Sequence, residues 1–271
     1  MQSGIIMKEK LGDFDMAKFE EIAVVVSQKE IAKDIFDLTI QTKDIAKHAR
    51  AGQFISLYCN DGTKLLPRPI SLCEIDSKMG TLRLVYRVTG ENAGTKQFSQ
   101  MKQGDEIRVL GPLGNGFELG DKKAFLIGGG IGIPPMLQLA KVLNCEKTAV
   151  LGYRDELFLL DDFKAVCDTY IATEDGSAGT KGNVIDAIKA NALEADVIYA
   201  CGPTPMLRAL KAYAEENNME CYISMEERMA CGIGACLACV CKTKEKDHHT
   251  NVNNKRVCKE GPVFNAKEVE L

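Results

Sequence analysis

Apolar and polar positions alternate along the first part of the chain. Phe19 to Val26 ends in an apolar run, and Phe36-Asp-Leu-Thr-Ile40 and Gln53-Phe-Ile-Ser-Leu-Tyr58 alternate. Thr81-Leu-Arg-Leu-Val-Tyr-Arg-Val88 keeps the alternation longest, and Glu106-Ile-Arg-Val-Leu110 closes the set ahead of Gly111-Pro112-Leu-Gly114. Side chains two apart share a face of a strand, so this pattern predicts five or six short strands with one buried face. Glycine-rich turns between them point to a barrel or sandwich.

After Gly120 the period changes. Ala124-Phe-Leu-Ile127 is a continuous apolar run, of the kind a strand buried on both faces shows. It enters Gly128-Gly-Gly-Ile-Gly132, and Pro134 to Ala140 then reads as a helix with proline in its first turn. Strands are predicted at Thr148–Gly152, Thr169–Thr173 and Val197–Ala200. They alternate with helices at Asp161–Cys167, Asn183–Ala190 and Thr204–Glu216. Alternating strand and helix implies a parallel sheet covered on both faces. From Glu226 the periodicity stops. The domains expected are an N-terminal extension at 1–18, a β barrel at 19–118, an α/β unit at 119–225 and a C-terminal segment at 226–271.

Composition narrows the function classes. Of the 271 residues 45 % are hydrophobic and 27 % charged, which is globular usage. The formal net charge is −4, and no basic run suggests nucleic acid. No apolar run reaches the roughly 18 residues a membrane helix needs. The stretch from Met1 to Glu21 carries Lys8, Glu9, Lys10, Asp13 and Asp15 and lacks the apolar core of a signal peptide. A cytoplasmic protein is expected, with 1–18 a tail and Met16 a conceivable alternative start.

Cysteine departs from the ordinary. There are eleven, and a reducing compartment disfavours disulfides, so clustering suggests metal or catalysis. Cys231, Cys236 and Cys239 follow C-x4-C-x2-C, and Cys258 comes after a longer loop. That is the plant-type [2Fe-2S] spacing, which supplies four thiolates to two irons. Gly232 and Gly234 let the backbone fold tightly and offer N–H groups to sulfur. Zinc is the alternative, on the Cys236/Cys239 pair with His248 and His249 as further donors. Cys241 fits no ligand slot and reads as a small packed side chain. Lys255 and Arg256 read as a solvated face, or as a surface for an acidic partner.

Two turns read as nucleotide sites. Gly128, Gly129, Gly130 and Gly132 lie between a strand and a helix, where a pyrophosphate can approach N–H groups. The pattern is not G-x-G-x-x-G, because Pro134 stands where the third glycine would be. Cys201-Gly202-Pro203-Thr204-Pro205-Met206 also follows a strand and opens a helix. Two such turns at strand ends form one crevice in an open α/β sheet. In the first domain, Arg68-Pro69-Ile70-Ser71 places a cation and a hydroxyl two residues apart, suited to a phosphate and a ring.

The succession of Arg-Pro-Ile-Ser, Gly-Gly-Gly-Ile-Gly-Ile-Pro-Pro-Met and Cys-Gly-Pro-Thr-Pro-Met resembles the ferredoxin–NADP reductase superfamily. With Cys-Gly-Ile-Gly-Ala-Cys-Leu-Ala-Cys added, the chain is similar, over about residues 19–262, to the electron transfer subunits of type 1B dihydroorotate dehydrogenases. The resemblance implies an FAD-binding antiparallel barrel, a parallel-sheet NAD-binding domain and a C-terminal [2Fe-2S] subdomain. It implies FAD held by Arg68, Pro69, Ile70 and Ser71, by Val85, Tyr86 and Arg87, and by Gly94 and Thr95. NAD would lie against Gly128, Gly129, Gly130 and Gly132 and against Cys201, Gly202, Pro203 and Met206. The cluster would sit on Cys231, Cys236, Cys239 and Cys258. The implied partner is an FMN-containing dihydroorotate dehydrogenase catalytic subunit, in a heterotetramer of two of each, acting in pyrimidine biosynthesis. The superfamily usually has an aromatic residue where Ile70 stands. Related sulfide dehydrogenase and NADH-dependent ferredoxin:NADP oxidoreductase subunits share the implied architecture. A zinc-bearing interaction module on a nucleotide-sensing domain is the non-enzymatic alternative.

Overall fold

The structure, a computed structural model, describes residues 4–11, 14–60, 62, 64–246 and 251–271, with side chains from residue 17 onward. The barrel strands are β1 (Gly4–Leu11), β2 (Phe14–Ala32), β3 (Ile35–Gln41), β4 (Phe54–Leu57), β5 (Arg68–Asp76), β6 (Thr81–Arg87) and β7 (Glu106–Leu113). Short helices α1 (Ile45–His48) and α2 (Gly94–Phe98) fill the connections. The order β2-β3-β6-β5-β4-β7 closes through a β2–β7 pairing into a six-stranded antiparallel barrel. The alternating residues behave as the pattern demands. Leu38, Ile40, Leu82, Leu84 and Val109 point inward and are buried, while Arg83 and Arg108 point out.

Pairing begins earlier than the predicted start at Phe19. β1 runs antiparallel to the first part of β2, from Gly4 opposite Glu20 to Leu11 opposite Phe14. The sequence ahead of Phe19 breaks phase at Met16–Ala17 and carries charged residues, which obscures the strand.

The α/β unit contains β8 (Ala124–Gly129), α3 (Pro134–Val142), β9 (Lys147–Tyr153), α4 (Leu160–Lys164), β10 (Asp168–Thr173), β11 (Thr180–Lys181) and α5 (Val184–Ala190). It continues with β12 (Val197–Cys201), α6 (Thr204–Glu216) and β13 (Glu220–Ser224). Its sheet has the order β11-β10-β9-β8-β12-β13-β16, parallel except for β16 (Val263–Asn265), which returns antiparallel along β13. Helices α3 and α4 cover one face through Leu137, Leu139 and Phe163. Helices α5 and α6 cover the other through Ala187, Ile188, Leu207 and Leu210. The cysteine-bearing segment adds a small ribbon of β14 (Val240–Lys242) and β15 (Asn254–Arg256). Among the described residues no helix is long and apolar enough to cross a membrane.

Barrel and α/β unit share one core. Cys73 and Val85 of the barrel lie in the same buried cluster as Ile133 and Met136 of the α/β unit. Gln138 of α3 accepts the Ile75 backbone N–H at 2.7 Å. Beside this seam Arg83 binds Asp37 at 2.8 Å, Asp162 of α4 at 2.6 Å, and Glu74, which also meets Lys141. The Asp37 carboxyl is 6 % exposed, so its charge needs that guanidinium. Asn115 ties the other end: its side chain donates to the Glu260 and Val263 carbonyls and accepts the Val263 N–H.

Arg83→Met leaves three carboxylates facing one another with only Lys141 on Glu74 and the exposed Lys29, 4.0 Å from Asp37, to offset them. We expect a loss of about 2–3 kcal/mol in urea unfolding, below the range for fully buried pairs because the site is partly wet. A change under 0.5 kcal/mol would contradict this reading of the seam.

Candidate functional site

The barrel opens where Arg68–Ser71 and Val85–Arg87 meet. The β5–β6 ladder runs from Asp76/Thr81 to Leu72/Leu84 and stops. Beyond it β5 keeps β4 as partner, Arg68 to Ser71 lying opposite Leu57 to Phe54, and β6 keeps β3. The two strand ends therefore present unpaired edges to each other, a slot lined by backbone donors and acceptors. Ile70 and Leu72 turn into the barrel core, and Ile70 is 9 % exposed. By alternation Pro69, Ser71 and Cys73 turn to the other face, where Cys73 meets the α/β unit.

On β6 the three residues differ. Val85 is buried in the seam, and Tyr86 turns into the barrel, its hydroxyl donating to Gln28 at 2.9 Å. Burial raises the Tyr86 phenol above its ordinary value. Arg87 is exposed. What Val85 and Tyr86 offer the slot is backbone. Gly94 lies directly beneath Arg68: a Cβ there would stand 2.8 Å from the Arg68 Nε. The adjoining Thr95 is buried and its hydroxyl accepts the Thr89 N–H at 3.4 Å. Arg68, Ser71, Gly94 and Thr95, distant in sequence, are thus gathered at one barrel mouth.

The two glycine turns meet at the carboxyl ends of neighbouring strands, Gly128 standing opposite Cys201 in the β8–β12 ladder. The chain winds outward from β8 in one direction and from β12 in the other, so the crevice above them is the topological switch point. Most of these glycines are explained by close packing. A Cβ on Gly129 would come 2.6 Å from the Met206 sulfur, one on Gly132 would overlap the Cys201 carbonyl, and one on Gly202 would stand 3.1 Å from the Gly129 nitrogen. Gly130 differs: it has φ +52° and open space beside it, so packing against a neighbour does not explain it. Cys201 is partly exposed. Burial of its thiol pushes it up to about 12, against the Ser224 hydrogen bond, so it is neutral near pH 7. Glu174 and Asp175 follow β10 at the same sheet end. Asp175 accepts the Ser177 N–H and hydroxyl at 2.9 and 2.7 Å, and these hold its carboxyl below its ordinary value. Arg154 and Asp155 follow β9, a strand nearer, and pair with each other.

The four cysteines come together in pairs. The Cys231 thiol is a neighbour of that of Cys236, and the Cys239 thiol of that of Cys258. Backbone N–H groups point at sulfur: Gly234 at Cys258 (3.1 Å), Ala235 at Cys231 (3.3 Å) and Cys258 at Cys239 (3.4 Å). Positive φ at Gly232, Gly234 and Leu237 (69°, 86° and 58°) lets the loop curl so that these donors face inward. Burial opposes ionisation of Cys231. The Ile233, Cys236 and Ala235 N–H groups and the Cys236 thiol outweigh it and bring Cys231 down to about 7. Burial pushes Cys258 up to about 12, and the adjacent Cys239 adds to the rise. Crowded thiols of this kind ionise readily when cations accept their charge. Two pairs ringed by N–H donors suit two irons bridged by sulfides, one pair to each iron. Among the described residues no three His, Cys, Asp or Glu side chains converge on a single-ion site. His248 and His249, the further zinc donors considered, lie outside the described residues. Cys241 is buried in the core beneath β14, where burial raises its thiol.

Sequence reasoning misplaced Arg256. It is not a solvated cation: Nη1 donates to the Gly234 carbonyl at 2.8 Å and the rest of the guanidinium grips Glu260. Opposite charges four apart, bracketing Cys258, were the available signal. Lys255 does point outward, paired with Glu268 at 2.8 Å. Ser56 was missed as well. A Cβ on Gly232 would stand 3.1 Å from Ser56 Oγ and 3.3 Å from Leu113, so the cysteine loop rests on β4 and β7. Ser56 is directly opposite Pro69 in the β4–β5 ladder.

Known proteins decide the family. The model for the iron–sulfur cluster binding domain of dihydroorotate dehydrogenase B matches residues 226–270, and that for an oxidoreductase FAD-binding domain matches residues 22–117. The dihydroorotate dehydrogenase B (NAD(+)) electron transfer subunit of Fusobacterium nucleatum subsp. nucleatum is 44 % identical over 265 residues, 93 % of this chain and 98 % of the relative. That of Geobacillus kaustophilus is 45 % identical over 262 residues, again 93 % and 98 %. The chain belongs to this family of electron transfer subunits. As a member it is the electron transfer subunit of an NAD-dependent oxidoreductase, with an FAD-binding domain and an iron–sulfur cluster-binding domain. Among solved structures, an NADH-dependent reduced ferredoxin–NADP oxidoreductase superposes with TM-score 0.82 at 31 % identity, covering 92 % of this chain and 90 % of the other. A ferredoxin NADP+ reductase from Neisseria gonorrhoeae superposes at 0.61 with 17 % identity, covering 74 % and 91 %, a likeness of fold.

Gly132→Ala should force the two turns apart. We expect nicotinamide nucleotide affinity to fall at least about tenfold, or 1.4 kcal/mol, with FAD retained. NADH titration of flavin absorbance measures it, and unchanged affinity would contradict the packing reading.

Proposed function

We propose that this chain passes electrons from dihydroorotate, oxidised in a partner catalytic subunit at FMN, through its cluster and FAD to NAD+, in de novo pyrimidine biosynthesis. The net reaction is dihydroorotate plus NAD+ giving orotate, NADH and a proton. The observation that carries the reading is the contact of Gly232 with Ser56, because Ser56 pairs with Pro69. The cysteine loop is then separated from the Arg68–Ser71 slot by one strand spacing, roughly 4.8 Å. On the slot's other side, Cys73 and Val85 pack against Ile133 and Met136 below the glycine turns. Three sites therefore stand in line.

When bound, the flavin exchanges two electrons as hydride with nicotinamide and single electrons with the cluster, a junction neither partner supplies alone. The residues divide the work. Arg68 lies over Gly94 at the slot mouth and can pair a flavin phosphate, leaving the backbone edges of Ile70, Ser71, Val85 and Tyr86 for the ring. The Ser71 hydroxyl faces the α/β unit and can donate to a ring atom on the hydride-transfer side. Gly130 and the start of α3 receive the nucleotide pyrophosphate. Cys201, neutral at pH 7, presents an uncharged surface to the nicotinamide. Acidic Glu174 and Asp175 favour a ribose hydroxyl over a 2′-phosphate.

The partner surface lies at the cluster. Cys236 is exposed, the adjoining Leu237 is 63 % exposed, and Val240 and Val252 of the same segment are exposed as well. Exposed apolar side chains around a redox centre favour docking of an FMN-bearing subunit, which in a two-fold assembly gives a heterotetramer in the cytoplasm. The division at 1–18, 19–118, 119–225 and 226–271 fits this scheme, the last part carrying Cys231, Cys236, Cys239 and Cys258. The likeness to the ferredoxin–NADP oxidoreductase structure favours a second reading, a related subunit with another catalytic partner.

Co-purification from the native host separates the two. Recovery of a complex that reduces NAD+ with dihydroorotate supports the first reading, and recovery with a different flavoprotein overturns it. Cys258→Ser should lose iron while retaining FAD and NADH-driven ferricyanide reduction within about twofold. Its transfer from the partner should fall at least about 100-fold, some 2.7 kcal/mol. NADH should be preferred over NADPH at least about twofold in flavin reduction, and equal rates would contradict the acidic-loop argument.

A further inference from the structure

The peptide unit between Gly234 and Ala235 is bonded at both ends. Its N–H, on Ala235, points at the Cys231 sulfur at 3.3 Å. Its carbonyl, on Gly234, accepts from Arg256 Nη1 at 2.8 Å. A cation on the oxygen of an amide draws electron density toward that oxygen, which makes the N–H a stronger donor. The same residue's own N–H, on Gly234, reaches the Cys258 sulfur at 3.1 Å. One guanidinium thus acts on a backbone segment that touches both cysteine pairs.

The guanidinium is itself fixed. Its Nε lies 3.1 and 3.0 Å from the two Glu260 oxygens, its Nη2 meets Glu260 as well, and its own backbone N–H donates to Glu260 at 2.7 Å. The planar fork leaves Nη1 directed at Gly234, a geometry that a lysine ammonium does not reproduce. The loop cannot easily withdraw, since a Cβ on Gly234 would meet the Lys259 side chain at 2.8 Å.

We propose that Arg256 is a positioning residue for the cluster: it orients and polarises the Gly234–Ala235 peptide, strengthening the N–H bonds to cysteine sulfur and raising the cluster's reduction potential. The inference rests on the reading that Cys231, Cys236, Cys239 and Cys258 hold a [2Fe-2S] cluster. Hydrogen bonds to ligand sulfur favour the reduced, more negative state, so weakening them lowers the potential.

The test is an EPR-monitored redox titration of the intact protein and of Arg256→Gln, Arg256→Lys and Lys255→Gln. Iron content is measured first: a parent protein without two irons per chain would remove the cluster reading itself. Lys255→Gln removes the same charge one residue away from a side chain paired with Glu268. We expect Arg256→Gln to lower the reduced-to-oxidised ratio of the cluster at the parent midpoint at least tenfold, which is 59 mV for one electron. Arg256→Lys should fall by less, and Lys255→Gln should move less than Arg256→Gln. An Arg256→Gln midpoint equal to the parent's, or shifted no further than that of Lys255→Gln, overturns the proposal. Should Arg256→Gln assemble without iron, Arg256→Lys decides. It keeps the charge but loses the fork, so a midpoint at the parent value overturns the proposal and a lower one supports it.

Discussion

The three sites of this chain are held in register where glycines let elements far apart in sequence approach closely. Gly232 lies on Ser56 and Leu113, Gly94 under Arg68, and Gly132 against the Cys201 carbonyl. Each contact joins elements far apart in sequence, and a methyl group would press on the Ser56 and Leu113 side chains in the first, on the Arg68 side chain in the second and on rigid backbone in the third. Electron transfer and hydride transfer both weaken steeply as partners separate, so the distances that matter are set here and not by the large hydrophobic cores. Those cores supply stability and tolerate modest repacking. The Gly132 contact has no such slack, because the Cys201 carbonyl is backbone and cannot rotate away.

Much of the fold was legible because each half obeys one period. Alternation over Thr81–Leu84 belongs to a barrel strand with one face in the core, and the continuous apolar run of Ala124–Ile127 to a strand covered on both faces. Elements without a period of their own were not legible. β16 is short and follows the cysteine segment, and it joins the α/β sheet only because β13 leaves an edge free. Helix α1 is a single turn held from outside, its first N–H groups meeting the Glu21 carboxylate. The strand ahead of Phe19 is masked by charged neighbours.

Within the site, residue types and spacing revealed donors but not directions. The four cysteines were recognisable because thiolate chemistry limits the spacings that can surround a cluster. The side-chain direction of Tyr86 was not, since alternation tells which residues share a face but not which face is the core. Nor was the division among the glycines, most of which serve turn-to-turn packing while Gly130 faces open space. Ser56 carries no signature at all. Its place follows from a strand pairing and from a loop closing on it nearly two hundred residues later.

Burial along the cysteine loop gives the relay its polarity. Cys239 and Cys258 are buried toward the molecule's interior, whereas Cys236 is exposed beside Leu237. One side of the cysteine group is therefore open, and the other is sealed in protein. A one-electron centre that must accept from outside and deliver inward needs this asymmetry: an outer ligand close enough for a docked donor, and an inner environment dry enough to keep water and stray oxidants from the flavin side. Arg256 and Glu260 lie at the boundary between the two, in reach of the Gly234 carbonyl. A charge placed there acts on the cluster as a whole, while the exposed rim around Cys236 stays apolar and free for docking.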